Sequence, residues 1–382
     1  MRVAIACPGL GRIRRGFETF AQDLFRQLQS AGTIDAVLFK GAGDTAPSEF
    51  PLWNLPRSSP LWRLSLGSVD PYVGEQLTFA ISLARRLKAE PFDLVQISDC
   101  QVASLVAHLT NDRRHRPRIL FSNGGPMFPA DYQRFDFIHQ VNPVELERAL
   151  SYGISDSRMM LVPYGVDVRQ YGSMIQGTVR DRLGIPDESF VVLTVGSHGT
   201  HKRLDFLIRQ MQSVRENVHL LVVGEQSSPE REVLLKLARR LLGDRVSFAS
   251  FAHEEMPRVY ASADLYVHTA LYEGFGIVFL EAMASGLPVV HHDERNMNWI
   301  VGDGGVAADM TDPTALSTAV RALLADSDLL EKLSTRARRR AQENFSWETL
   351  LPRYVDMYSQ ALNLPSTYPR HKGKLNPVVR RP

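Results

Sequence analysis

Short β-rich runs alternate with helix-length amphipathic segments along this chain, and the alternation starts twice. The first series opens with Val3–Cys7, the turn PGLGRIRRG and a helix from about Phe17 to Ala31. That helix repeats apolar residues at Phe17, Phe20, Ala21, Leu24, Phe25 and Leu28, the period of one buried face. A strand at Ala36–Phe39, a helix over Gly74–Ala89, a strand at Leu94–Ile97, a helix at Val102–Leu109 and a strand at Arg118–Ser122 are expected next. The second series runs through strands Phe190–Val195, Val218–Val223, Val246–Phe248 and Leu265–Thr269, with helices Leu204–Val214, Glu230–Leu242 and Met256–Ala261 between them. Strands separated by helices return to the same end of a sheet, so both series predict parallel, doubly wound α/β layers.

Between the series lies LVPYGVDVRQYGSMIQG, with proline, glycine and little apolar patterning, which reads as a linker. The expected domains are therefore residues 1–172 and 173–345. Sheets of this kind bind ligands outside the carboxyl ends of their strands, and two facing halves make a cleft. The first half also holds GAGDTAPSEFPLWNLPRSSPLW, which has no periodicity and reads as a functional loop. An Arg-rich helix, Asp328–Glu343, precedes a last one over 346–362. Ser346 is suited to cap that last helix, and Trp347, Leu350, Leu351, Tyr354 and Met357 or Tyr358 form its apolar stripe. Residues 363–382 read as a solvated basic, Pro-rich tail.

Composition narrows the class. The 382 residues suffice for two cores, and 44% hydrophobic with 23% charged residues is ordinary for a globular chain. Lys+Arg 44 against Asp+Glu 42 gives no field to recruit nucleic acid. Cys7 and Cys100 make neither a disulfide framework nor a metal set, so a reducing cytoplasm is expected. No apolar run reaches the roughly 18 residues of a membrane span, and RVAIAC is too short for the core of a signal peptide. Residues 1–170 hold 19 Lys+Arg and 17 Asp+Glu, too even for an electrostatic membrane footprint; the basic cluster NDRRHRPR at 111–118 reads as a solvated loop. These features leave peripheral contact with the inner face of a membrane as the expected form of any membrane association.

The densest constellation is YEGFGIVFLEAMASGLPVV, residues 272–290. Glycines on both sides of Phe275 let the backbone approach a ligand. The N–H groups of Gly276, Ile277 and Val278 then open a helix, which is an anion site. Glu281 lies about one turn further on, and Glu273 stands before the helix. Two carboxylates around an anion hole suit a sugar, a diphosphate and a ribose diol.

In this form, EGFGIVFLEAMASGLPVV closely resembles the signature of the retaining glycosyltransferases of family 4, the glycosyl transferases group 1. Their fold is GT-B, two Rossmann-like domains facing a cleft. YGVD (Tyr164–Asp167) resembles the family's NGVD at the interdomain linker. VGSHGTHKRLDFLI resembles the segment with the phosphate-binding lysine, here Lys202, and FSWE with Tyr354 and Tyr358 resembles the terminal helix that crosses back to the first domain. The resemblance covers residues 1 to about 361 and is strongest in the second half. It implies that Glu281 binds the ribose hydroxyls and that Glu273 lies by the transferred sugar. It also implies that the amides of Gly274, Phe275, Gly276, Ile277 and Val278 hold sugar and diphosphate, and that Lys202 neutralises the leaving phosphate.

The chain also departs from the pattern. The basic partner of the lysine is replaced by Ser197, or by His201 in a variant placement, with Arg203 a substitute. His198 and His201 read as exposed loop histidines. The first loop has Arg15-Gly16-Phe17-Glu18 where the family has Gly-Gly-x-Glu, leaving Gly16 to offer its amide to the donor. Gly224, ending a strand, joins the expected donor-binding set. Where many members carry a histidine after the strand RILFS, this chain has Asn123-Gly124-Gly125-Pro126, so Asn123 or Gly124 is expected to line the site.

The resulting expectation is a retaining, metal-independent hexosyltransferase without cofactor, using a nucleotide-diphosphate sugar, with UDP-sugar favoured. Its acceptor is a hydroxyl of a saccharide, lipid-linked or small molecule, in polysaccharide or glycoconjugate synthesis. The rivals are a non-catalytic two-lobed sugar-binding protein and another enzyme of the fold, an epimerase or phosphorylase.

Overall fold

The computed structural model describes residues 1–13, 15–65, 70–111, 116–172, 178–214, 217–225 and 229–365. The expected tail beyond Pro365, most of the basic cluster at 111–118 and the end of the linker lie outside these. Contacts divide the chain into two compact units. Unit one comprises Met1–Gln140, Glu147–Met160 and the chain from Val355; unit two comprises Val141–Leu146 and Leu161–Tyr354.

The first sheet contains β1 (Arg2–Cys7), β2 (Asp35–Lys40), β3 (Glu49–Pro51), β4 (Leu94–Ile97), β5 (Arg118–Asn123), β6 (Phe137–Gln140) and β7 (Met159–Leu161), in the order β3-β2-β1-β4-β5-β6-β7. β1 pairs in parallel with both β2 and β4, so the strand order reverses between β1 and β4. Such strands are covered on both faces, which is why Val3, Ala4, Ala36, Leu38, Leu94 and Val95 are all fully buried. The helix Gly16–Ala31 follows β1 and ends at Gly32, whose φ of 63° is the left-handed stop that glycine adopts without strain.

The second sheet contains β8 (Phe190–Val195), β9 (Val218–Val223), β10 (Val246–Ala249), β11 (Leu265–His268), β12 (Val289–His292) and β13 (Gly305–Ala308), in the order β10-β9-β8-β11-β12-β13. β8 pairs in parallel with β9 and β11, and the order reverses between β8 and β11. Ligands of doubly wound sheets bind outside the carboxyl ends at such a reversal.

The strands with longer β-branched runs stand where the sequence predicts them. Those without a predicted counterpart, EFP, FIHQ, MML, VVHH and GVAA, are three or four residues long, too short to show a period. The long stretch after β2 is partly ordered, because Glu49–Pro51 adds an edge strand beside β2. The units divide at Leu161 rather than near 172. Val166 donates to Phe345 O (2.9 Å), and Tyr171 reaches Glu281, so this segment packs with unit two.

The last helix, Trp347–Asn363, begins with Ser346 Oγ accepting from Thr349 N (3.2 Å), the expected cap. In unit two Tyr354 donates to Pro163 O (2.9 Å); in unit one Tyr358 donates to Gln96 Oε1. Trp347, Leu350, Tyr354, Met357 and Tyr358 are buried, whereas Leu351 is only half-buried. Among the described residues no helix is long and apolar enough to cross a membrane.

Candidate active site

The reversal in unit two brings together the ends of β8 and β11. β8 runs into Gly196 and the exposed Ser197. Gly196 N donates to Val223 O (2.9 Å), and a Cβ on Gly224 would sit 2.2 Å from Gly196 O, so this approach requires glycine at 224. His198 is 2% exposed and packs on Phe248 at 5.9 Å, contrary to the exposed loop position expected of it; His201 is exposed. Burial pushes the His198 pKa down.

A short turn, Thr200–Lys202, then aims Lys202 at the end of β11, and Thr269 Oγ1 fastens it by donating to Lys202 O (2.7 Å). The Lys202 ammonium contacts Glu273 Oε2. Arg203, at φ 52°, sends its guanidinium away, to Met310 O (2.7 Å) and over the Phe206 ring (4.5 Å). It is not brought to this site.

Glu273 is held in its charged form. Burial alone would push its pKa up, but His268, whose Nε2 lies 3.2 Å away, and the Lys202 charge bring it down to about 2. The backbone beside it is clamped: Asn296 Nδ2 donates to Glu273 O (2.8 Å) and Gly274 O (3.0 Å), and Asn142 Nδ2 donates to Gly274 O (2.7 Å). Gly276 has φ 78°, and a Cβ there would meet Glu273 Cγ at 2.9 Å. Phe275 is buried against Tyr164 at 4.9 Å and anchors the loop from below.

The helix Ile277–Ala284 starts directly after Gly276. Its first N–H groups, Val278 among them, have no partner within the helix and present the positive end of its dipole beside Lys202 and Glu273. Glu281 lies deeper, 7% exposed, and its carboxylate accepts the hydroxyls of Tyr171 (2.9 Å) and Tyr260 (2.6 Å). Among the described residues no group of three or more His, Cys, Asp or Glu side chains could hold a metal ion.

Two expected residues belong to unit one. Asn123 ends β5 at 2% exposure, donating to Gln140 Oε1 (2.8 Å) and accepting from Gly125 N (3.3 Å), so its amide is engaged within that unit, while Gly124 is exposed. Gly16 is the exposed first residue of its helix.

Sequence reasoning missed His268, Asn296, Tyr171 and Tyr260. His268 could have been found, as the last residue of a strand five positions before Glu273; the others carry no local signal.

Residues 176–340 match the family model of the glycosyl transferases group 1. The D-inositol 3-phosphate glycosyltransferase of Salinispora tropica is 32% identical over 231 residues, 55% of this chain and 48% of that relative. The mannosylfructose-phosphate synthase of Agrobacterium fabrum is 30% identical over 233 residues, 56% of this chain and 51% of that relative. The matches thus span about half the length of these curated relatives. Among solved structures, sucrose-phosphate synthase from Thermosynechococcus elongatus has a TM-score of 0.78 at 21% identity, covering 94% of this chain and 98% of that one. Anabaena Alr3699/HepE in complex with UDP and glucose has a TM-score of 0.76 at 18% identity, covering 94% and 99%. These likenesses show the fold, the two-domain α/β arrangement called GT-B.

Proposed function

We propose, on the premise that residues 176–340 match the glycosyl transferases group 1, that the protein moves a hexose from a nucleotide-diphosphate donor to an acceptor hydroxyl, with retention of configuration. The observation that carries the reading is the meeting of Lys202, an ionised Glu273 and the Ile277 helix terminus at the reversal of one sheet. A departing nucleoside diphosphate gains negative charge, and a fixed cation beside a helix N-terminus stabilises that charge most in the transition state. Lys202 is paired with Glu273 in the free protein, and a diphosphate competes for it. Glu273 then accepts from hydroxyls of the transferred sugar, and Glu281 from those of the ribose.

The bond from acceptor oxygen to anomeric carbon forms on the face from which the diphosphate leaves. The acceptor's proton passes to the leaving phosphate oxygen, so no side chain need attack the sugar. A UDP-sugar is the favoured donor, in line with the UDP held by HepE. The acceptor, a hydroxyl of a saccharide, lipid-linked or small molecule, binds mainly to unit one. A thermal-shift panel of UDP-, GDP- and ADP-sugars tests the donor directly: stabilisation by none of the three would overturn the reading.

Glu281→Gln should weaken UDP binding roughly tenfold or more, the worth of hydrogen bonds to a charged group. Unchanged affinity by calorimetry, with a lowered melting temperature, would assign Glu281 to holding Tyr171 and Tyr260 alone. Turnover should survive excess EDTA, because Lys202 and the helix terminus supply the positive field. Loss on chelation with recovery on added Mg or Mn would refute that.

A further inference from the structure

Unit one has its own reversal, between β1 and β4, and its polar groups take no part in the chemistry above. Asp99 follows β4, and its Oδ1 accepts from the Tyr72 hydroxyl (3.2 Å) and from Gln76 Nε2 (2.5 Å). Both donors stand on the helix Pro71–Ala89. Glu18, 1% exposed, comes from the helix after β1, and a Cβ on Gly9 would meet its Oε1 at 2.2 Å.

Two polar atoms here have no hydrogen-bond partner among the described residues. They are Gln76 Oε1, in a side chain only 1% exposed, and Ser98 Oγ, in the residue before Asp99. An unpaired buried amide oxygen is costly, and in a native protein it calls for an explanation such as a missing ligand. Because that oxygen only accepts, the ligand it suits is a donor such as a hydroxyl.

Charge bookkeeping narrows the class. Arg15 is paired with Glu18 (2.8 Å), Arg57 forks onto Glu75 and covers the Tyr72 ring at 4.5 Å, and Arg12 turns to Asn54. Among the described residues Asp99 receives only uncharged hydrogen-bond donors. Burial chiefly, with the Glu18 charge adding, pushes Asp99 up to about 6, against the Tyr72 hydrogen bond and the charges of Arg15 and Arg57. A phosphate placed here would stand beside two carboxylates, Asp99 and Glu18, and among the described residues the neighbouring cations Arg15 and Arg57 are already engaged. A ring of adjacent hydroxyls would donate to Asp99, to Gln76 Oε1 and to the Tyr72 oxygen, whose own hydrogen is given to Asp99.

We propose that the carboxyl ends of β1 and β4 form the acceptor pocket, that it takes an uncharged polyhydroxyl ring, and that Asp99, Gln76 and Tyr72 make the contacts. The word acceptor rests on the glycosyl-transfer reading; the pocket and its chemistry do not.

The test is ligand-observed NMR on the full chain with myo-inositol, methyl α-glucoside and their monophosphates, alongside UDP as a separate probe. The neutral rings should bind in the millimolar range, at least as tightly as their phosphates, and with little dependence on salt. Asp99→Asn and Gln76→Leu should each weaken them about tenfold while leaving UDP affinity and melting temperature unchanged. Phosphates binding tenfold tighter than the neutral rings, no neutral ring bound at about 20 mM, or wild-type binding in both variants would overturn the proposal. A variant with altered UDP affinity or melting temperature would be replaced by Tyr72→Phe, read in the same way. Failure of UDP to bind the wild-type chain would count against the transfer reading instead, and leave the polyol result to judge the pocket.

Discussion

Glu273→Gln is expected to lower kcat by about 10²-fold or more with a much smaller change in UDP affinity. The substitution keeps the size of the side chain but exchanges a charged acceptor for a weaker one that also donates. It also removes the negative partner of Lys202, whose ammonium touches this carboxylate. The effect should fall on turnover, since sugar hydroxyls need their acceptor most as positive charge develops at the anomeric carbon. NMR of the product made from an α-linked donor should show an α-linkage. A β-linked product, or a trapped adduct between the sugar and Glu273, would rule out the front-side mechanism.

The pH dependence follows from the same geometry. Glu273 sits at about 2, below its ordinary value near 4, so it is ionised throughout the neutral range. Its contribution to stability is therefore fully present above about pH 4 and is lost as pH falls toward 2. An acid limb in the rate profile near neutrality should persist in the Glu273→Gln variant, because another group causes it.

Ending the chain before Phe345 should abolish cooperative folding, whereas ending it after Pro365 should leave the melting temperature within a few degrees. The longer deletion strips out Phe345, Trp347, Leu350, Tyr354, Met357 and Tyr358, each at most 4% exposed. At roughly 2 kcal/mol per buried side chain the loss is on the order of 10 kcal/mol, comparable with the whole stability of a domain. Circular dichroism during heating reads both proteins. Equal melting curves for the two would show that the last helix is dispensable.

The sequence is most informative where chemistry and backbone geometry coincide. Gly274, Gly276 and Glu273 sit in one short run, because a clamped loop before a helix needs glycines and carboxylate in a fixed order. The strands Phe190–Val195 and Val218–Val223 are equally legible, since burial on both faces leaves unbroken apolar runs. What escapes is whatever depends on distant segments meeting. Asn142 and Asn296 clamp one loop from 132 and 22 residues away, and no local pattern marks an asparagine for that task. Arg203 shows the opposite failure: it stands beside Lys202 in sequence, yet a left-handed backbone turns its side chain to Met310. Neighbours in sequence shared a site only where the backbone let them.

The last helix also bears on the order in which the protein is made. Unit one begins with the first residue, yet its buried set includes Met357, Tyr358 and Ala361. While a ribosome is still working through unit two, the earlier unit lacks that strip of core, and Gln96 still awaits the Tyr358 hydroxyl. Vectorial synthesis therefore cannot finish the units one after the other: the first to emerge is the one that must wait for a helix made after the second.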